Sequence, residues 1–471
     1  MPDPTRPNVI LINCDDLGYG DLGCYGSRRN DTPNADRLAA EGTRFTHFCM
    51  ASCVCSPSRA AMLTGCHPAR IGFDRFGEHP VLFPGDALGL DPAEETLATL
   101  LRRRGYATQM VGKWHCGDQP AFLPTAHGFD HYLGIPYSND MGRQVGRDRM
   151  LPPLPMLRDQ EVVDQQFDMA AVTQRYTEES VRFVRENRER PFFLYLAHMY
   201  VHLPLIVPER LLARSRNGPY GAAVAAIDWS TGRLLRELDE LGLAEGTLVL
   251  FTSDNGSRVR GEGGSNGPLR GLKGESWEGG YRVPLIARMP GRVPAGETRE
   301  QLVASMDLLP TVAALTGADA PERPIDGRDR SALLLGGEDD GGDSEGDFGG
   351  NSGGGADRFV YTMGETPVAI RDARHKLFVA RETVPGGVGP VDPVLELYDL
   401  REDPGESENL AGRRPGVVQR LRAELDAWAA RLGPGGPERR GCGRVEDPRP
   451  LTAYDASYPY FAAEYDLPDT G

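Results

Sequence analysis

The sequence predicts an α/β protein: a mostly parallel central sheet sandwiched by helices, followed by a smaller α+β domain with a short antiparallel sheet. Three observations carry this expectation. Short β-branched or aromatic runs alternate with stretches of helical periodicity as far as a strand at 247–252. The clusters of chemically capable side chains fall just after such runs, where open α/β sheets gather their ligands. Beyond a Gly-, Asp- and Glu-rich tract at 336–357 the pattern changes to short strands and one helix.

Residues 8–13, Asn-Val-Ile-Leu-Ile-Asn, read as a buried strand that stops abruptly at Asp15-Asp16. Thr32-Pro33 caps a helix running through Leu38 and stopping near Gly42. Another helix starts at or just after Cys55, with Pro57 in its first turn and Ala60, Ala61, Met62 and Leu63 behind it. Asp91-Pro92, with Glu94 three residues after the cap and an apolar face of Leu97, Leu100 and Leu101, opens a third that ends by Gly105. Strands follow at 106–111 and 191–196, then helical periodicity at 227–241 and the strand at 247–252. The tract 336–357 has almost no apolar residue and reads as a disordered loop. Strands at 359–361, 368–370 and 376–379 and a helix at 417–432 build the smaller domain. The domain plan is therefore 1–335, the loop 336–357, a subdomain at 358–432, and a Pro- and Tyr-rich tail at 433–471.

With 471 residues the chain is long enough for one large or two ordinary domains, and 25% charged with 39% hydrophobic residues is a globular composition. No apolar run approaches the roughly 20 residues that span a bilayer, and the first residues show no signal-peptide pattern. The expectation is a cytoplasmic protein with no membrane partner. A net charge of −16 without a basic stripe argues against nucleic acid, while leaving room for a small anionic substrate in a local basic pocket. Eight cysteines in such a chain read as reduced thiols, and all but Cys55 as small hydrophobes or inert surface thiols. Cys-x-x-Cys does not occur, which weakens zinc-cluster and thioredoxin-type readings.

Cys55 lies at a helix N-terminus, where free N–H groups and the helix dipole favour anions. Arg59, one turn on, shares its face and can hold developing negative charge. Asp15-Asp16 and Asp254-Asn255 each follow a strand end, and three carboxylates with an amide are oxygen ligands for a hard cation, Ca²⁺ or Mg²⁺. An Asp-Asp pair alone reads as a turn or cap; the second acidic pair shifts the balance. Lys113 and His115 follow one strand, and His198 and His202 another. Lys273 sits in a Gly-rich loop with neither Walker A nor dinucleotide spacing.

Cys55-Ser56-Pro57-Ser58-Arg59, extended through Leu63-Thr64-Gly65, resembles the signature of the type I, formylglycine-dependent sulfatases of the alkaline phosphatase superfamily. Further resemblances are Gly112-Lys113-Trp114-His115-Cys116-Gly117, with Cys116 where leucine is usual, His202-Leu203-Pro204, the stretch 269–284 and Leu397-Tyr398-Asp399-Leu400. Gly134-Ile135-Pro136-Tyr137-Ser138-Asn139-Asp140 is similar to the arylsulfatase A and N-acetylgalactosamine-6-sulfatase branch. The resemblance implies an alkaline phosphatase-like fold and a maturation enzyme that oxidises the Cys55 thiol to Cα-formylglycine. It implies that Asp15, Asp16, Asp254 and Asn255 ligate a divalent metal, usually calcium, with the oxygen of converted Cys55 completing the shell. Lys113 then contacts the formylglycine and sulfate, His115 hydrogen-bonds the formylglycine, and His202 faces the substrate while His198 is structural. Lys273 binds sulfate, and Ser138 contacts it.

The implied reaction hydrolyses a sulfate monoester of a small molecule or saccharide. One hydroxyl of the aldehyde hydrate attacks sulfur in line and expels the alcohol, leaving a sulfo-enzyme; the second loses its proton, toward His115, and releases sulfate. Arg59, Lys113 and Lys273 stabilise the sulfuryl oxygens, and His202 with Lys273 protonates the leaving oxygen. Two rival readings remain at this level. One is a phosphonate monoester or phosphodiester hydrolase using the same formylglycine; the other is a non-catalytic sulfate- or glycan-binding protein that keeps Cys55 as a thiol.

Overall fold

The computed structural model describes residues 6–143, 151–338, 358–383, 391–453, 455, 457 and 458. The central sheet is built from β1 (Asn8–Cys14), β2 (Thr43–Phe45), β3 (Ala107–Gly112), β4 (His131–Gly134), β5 (Pro155–Arg158), β6 (Glu161–Gln165), β7 (Phe192–Ala197), β8 (Thr247–Ser253), β9 (Leu285–Arg288) and β10 (Glu297–Arg299). Their order is β10-β2-β9-β8-β1-β7-β3-β4-β5-β6. The run β8-β1-β7-β3-β4 is parallel throughout. Antiparallel pairing enters at β8–β9 and β9–β2 on one side and beyond β4 on the other. The sheet is therefore mixed, with the expected parallel core.

Successive side chains of a strand point to opposite faces. Ile10 and Ile12 of β1 belong to one apolar core with Leu38, Tyr176, Val181, Ile227 and Leu234. Val9 and Leu11 belong to the other, with Met62, Leu63, Leu97, Leu101, Leu309 and Val312. Helices α1 (Pro33–Ala40), α4 (Val172–Glu186) and α5 (Gly218–Glu240) cover the first face, and α2 (Cys55–Thr64), α3 (Leu97–Arg103) and α6 (Leu308–Thr316) the second. Burial on both faces is why β1 reads as an unbroken apolar run.

Two helix starts differ from the sequence expectation. α3 begins at Leu97 and not at Asp91-Pro92. Its N-cap is Thr96, whose Oγ1 accepts from Thr99 N–H at 3.2 Å and donates to His127 O at 2.6 Å. Asp91 instead closes a local turn, accepting the Ala93 N–H at 2.9 Å, which is the competing use of an Asp carboxylate. Thr96→Ala removes both Thr96 bonds and is expected to cost about 1 kcal/mol of stability. The check is a lower denaturation midpoint with unchanged turnover. α5 already runs from Gly218: Pro219 presets its first turn, and the small residues Gly221, Ala222 and Ala223 carry no visible periodicity.

β11 (Phe359–Met363), β12 (Thr366–Arg371), β13 (His375–Glu382) and β14 (Val391–Asp399) form a separate antiparallel sheet. One face, with Val360, Ile370, Leu377 and Leu397, packs on Leu421 and Leu425 of α7 (Pro415–Leu432). The other, with Phe359, Tyr361, Val368 and Phe378, packs on Cys53, Val54, Trp277 and Tyr281 of the larger unit. The small domain thus stands directly behind the segment leading into Cys55.

Most of the expected loop at 336–357 lies outside the described residues, as does the chain from 459 onward. Residues 433–453 lie against the larger unit. Gly443–Arg444 pairs with Leu88–Gly89, and Arg439 contacts Asp74 at 2.9 Å. No helix among the described residues is long and apolar enough to cross a membrane. All eight cysteines are free thiols.

Candidate active site

β8, β1, β7 and β3 are consecutive neighbours in the parallel core, so their carboxyl ends deliver Asp254-Asn255, Asp15-Asp16, His202 and Lys113–His115 to one place. The backbone turns sharply there. Asp16 and His115 both sit at positive φ, 61° and 62°, the left-handed region that Asp and His enter more readily than most residues. At Gly112 (φ 114°) an added Cβ would stand 1.8 Å from Ala197 O, so only glycine lets the chain pass β7 as it enters Lys113.

Cys55 is the first residue of α2. Its Sγ lies 3.5 Å from Asp15 Oδ1 and 3.4 Å from Lys273 Nζ. Burial, followed by the Asp254 carboxylate, pushes the thiol well above its ordinary value. The unmodified sulfur is therefore protonated and a weak nucleophile.

Lys113 Nζ donates to Asp15 Oδ2 at 2.6 Å and to Ser138 Oγ at 3.3 Å. Lys273 Nζ contacts Asp16 Oδ1 at 2.7 Å. Arg59 is fully buried; its Nε donates to Asp254 Oδ2 and its Nη1 to Lys113 O, both at 2.8 Å, and Nη2 stands 3.7 Å from Asp15 Oδ2. The guanidinium lies behind the carboxylates and is committed to them and to the Lys113 backbone. Burial opposes every one of these charges, and the partners decide the outcome. Against burial, Asp15 holds Lys113 above its ordinary value, and Asp16 does the same for Lys273. Lys273 and His202 outweigh burial at Asp16 and hold it well below the usual carboxylate range. At Asp254 burial prevails over Arg59 and the carboxyl is raised.

His115 Nε2 lies 3.0 Å from Leu82 O, which places the ring proton there and leaves Nδ1 buried without a partner. His202 Nδ1 lies 2.7 Å from Leu203 O and 3.5 Å from Ser138 Oγ, and its Nε2 faces Asp16 Oδ2 at 3.8 Å. Burial, then Lys113, lowers His115 well below its ordinary value; burial, then Lys273, brings His202 down to about 4. His198 is buried, hydrogen-bonded through neither ring nitrogen, and lowered by burial to about 3.

Asp15, Asp16, Cys55 and His202 each present a donor atom within 4.8 Å of the others, a group able to hold a metal ion. The oxygen set fits a cation. Asn255 Nδ2 donates to Asp16 Oδ1 at 2.8 Å and Gly256 O at 3.0 Å, which fixes the amide and leaves Oδ1 as an acceptor. Asn255 Oδ1 and Asp16 Oδ2 are both buried without a hydrogen-bond donor. Buried acceptors in that state are costly unless a cation meets them.

The structure brings together the residues singled out in the sequence as metal ligands and as catalytic or binding groups; His115 follows Lys113 by two residues, with its ring at Leu82 O. Two supports beneath them were not foreseen. Tyr220 donates to Asp21 Oδ2 and lies 3.5 Å from Asp16 O, and Ser58 donates to the Asp254 backbone carbonyl. Ser58 occupies an unspecified position of its motif and Tyr220 precedes the visible periodicity of α5, so no spacing rule marks either.

The sulfatase family model matches residues 7–318. The chain is a sulfatase. Human arylsulfatase A is 39% identical to it, over 91% of this sulfatase and 90% of the relative. N-acetylgalactosamine-6-sulfatase of Canis lupus familiaris is 42% identical over 71% and 67% of the two chains. The solved structure of PsFucS1 sulfatase from Pseudoalteromonas sp. matches with a TM-score of 0.77 at 28% identity, covering 90% of each chain. The sulfatase is an enzyme of sulfuric ester hydrolysis, and neither the phosphoester reading nor the non-catalytic one is favoured.

Proposed function

We propose that this sulfatase hydrolyses aryl or carbohydrate sulfate monoesters with Cys55 converted to Cα-formylglycine by a maturation enzyme. Asp15, Asp16, Asp254 and Asn255 would hold a divalent cation beside it. The observation that carries the proposal is the setting of residue 55: the first residue of α2, 3.5 Å from Asp15 and 3.4 Å from Lys273. As a thiol it is a weak nucleophile there. The hydrated aldehyde supplies two hydroxyls on one carbon, one to attack sulfur and one to release the sulfate afterwards.

The cation supplies charge stabilisation and a lowered pKa for the attacking hydroxyl. A buried set of protein oxygens favours Ca²⁺ over Mg²⁺, which prefers to keep its waters. Arg59, Lys113 and Lys273 balance Asp15, Asp16 and Asp254, so a divalent cation leaves a net positive site for the sulfate anion. Lys113 and Lys273 are placed to bind sulfuryl oxygens, with Ser138 beside Lys113. Arg59 acts one layer back by holding Asp254 and the Lys113 backbone. His115, with its proton on Nε2, leaves Nδ1 to take a proton from residue 55. Lys273 is the standing donor for the leaving oxygen, and His202 orients the substrate from the Ser138 side.

Mass spectrometry and kinetics test this together. The active chain should be about 18 Da lighter than the encoded one, the loss expected when a cysteine becomes formylglycine. It should turn over 4-nitrophenyl sulfate or a sulfated disaccharide. An active chain with an intact thiol at residue 55 overturns the proposal. Removing divalent cations with a chelator should lower kcat/KM roughly a hundredfold or more, the scale of losing a preorganised electrostatic group. Ca²⁺ should restore it; full activity after exhaustive chelation is the opposing result.

A further inference from the structure

We infer that Lys376 and Glu382, both on β13 of the small domain, are positioning residues for Lys273. The inference rests on the reading of Lys273 as a sulfate-binding group. Lys273 sits in a tight turn in which Leu272 N–H donates to Glu275 Oε2 and Glu275 N–H to Leu272 O, both at 3.0 Å. The larger unit holds the middle of this turn: Lys273 N–H donates to Ser257 O at 3.0 Å and Gly274 N–H to Cys53 O at 3.1 Å. These anchors tie it to the chain beside Asn255 and Cys55.

The exit of the turn is held from the other domain. Lys376 Nζ donates to Ser276 O at 2.8 Å, while Glu382 accepts Ser276 N–H at 3.2 Å and the Ser276 hydroxyl through its other oxygen. One strand thus grips Ser276 at its carbonyl, its amide and its side chain. Two residues on, Glu278 meets Lys376 Nζ at 3.2 Å and Arg371 Nη1 at 2.6 Å, with all three side chains fully buried. The Glu278 N–H donates to Glu406 Oε2 at 2.8 Å, and Glu406 lies 3.0 Å from Lys376. At the entry of the loop, Arg270 donates to Glu406 O at 2.8 Å and stacks 3.8 Å above the Trp277 ring. A buried network of paired charges of this kind resists displacement, because any movement leaves an uncompensated charge. The ammonium that reaches Cys55 and Asp16 therefore stands on a loop whose two ends are fixed by the small domain.

The test uses the full-length enzyme with conversion of Cys55 checked by mass. Glu382→Gln keeps the shape but weakens the grip on Ser276. The double variant Lys376→Met/Glu406→Gln removes one buried charge of each sign, so neither is left unpaired. The readouts are the Kd of inorganic sulfate by calorimetry and the separate KM and kcat for 4-nitrophenyl sulfate. Positioning predicts that Kd and KM rise by about tenfold or more, equal to about 1.4 kcal/mol of lost binding, with partial recovery in Lys376→Arg/Glu406→Gln. A structural role alone predicts a lower melting temperature with sulfate Kd unchanged in the folded molecules, and that result overturns the inference. Should the double variant fail to fold, an unchanged Kd in Glu382→Gln overturns it equally. If the wild-type chain hydrolyses no sulfate ester yet its sulfate Kd responds to these variants, the proposed function fails and the positioning role stands.

Discussion

Cys55→Ser is expected to lower steady-state turnover about a million-fold, the scale seen when a hydrolase loses its covalent nucleophile, while leaving the fold unchanged. The serine hydroxyl would occupy the same first turn of α2, beside Asp15 and Lys273. It can attack sulfur once, but it has no second hydroxyl on the same carbon to expel the sulfate, so the chain should accumulate as a stable sulfate ester. Cys55→Ala should lose turnover to the same extent without any such ester. Melting curves and intact mass, read beside kcat, separate these outcomes. Wild-type kcat in either variant sinks the role of residue 55.

Arg59→Met is expected to be the most destabilising single change at the site, by about 3–5 kcal/mol without divalent cation, the cost of breaking a buried ion pair. Arg59, Asp15 and Asp254 are all fully inaccessible, so water cannot replace the lost guanidinium. Asp15, Asp16 and Asp254 would face only Lys113 and Lys273. A bound cation makes up the missing charge, so the variant should bind Ca²⁺ more tightly and, at one fixed Ca²⁺ concentration, gain more than the about 2.7 kcal/mol the wild type gains at a hundred times its own Kd. Melting in Ca²⁺ and in chelator checks this; equal losses in both would show that charge neutralisation is not what Arg59 does. The pH dependence has a definite sign. The Asp254 carboxyl is raised in the folded state, so the native protein binds its proton more readily, and the stability that proton contributes is lost as pH rises through the folded value. Without Arg59 that value rises further, and the deficit of the variant should be smallest in acid.

Legibility in the sequence followed how local each feature is. β1 and β8 were visible because burial on both faces makes unbroken apolar runs. The carboxylates were visible because they follow those runs directly. The start of α3 was not, because Asp91-Pro92 carries the fuller capping signature, while Thr96 gains its place from bonds to the Thr99 N–H and to the remote His127 carbonyl. The mixed edge of the sheet beyond β8 escaped too, since its outer strands β2 and β10 are three residues long and take their identity from partners.

Arg59 shows the boundary most clearly. Its spacing from Cys55 predicts a shared helix face and a hold on developing negative charge, whereas the fold commits it to Asp254, 195 residues away. The sequence by itself determined the class of chemistry: its motifs mark a sulfatase, with carboxylates, an amide and basic groups placed just after strand ends. Residue types and their position within an element are local properties, and a sequence carries them openly. Only the tertiary structure decided which charge faces which, which histidine nitrogen keeps its proton, and that the small domain holds the loop of Lys273. Those outcomes depend on distances of a few ångströms between buried groups from remote parts of the chain, and no spacing along a sequence encodes them.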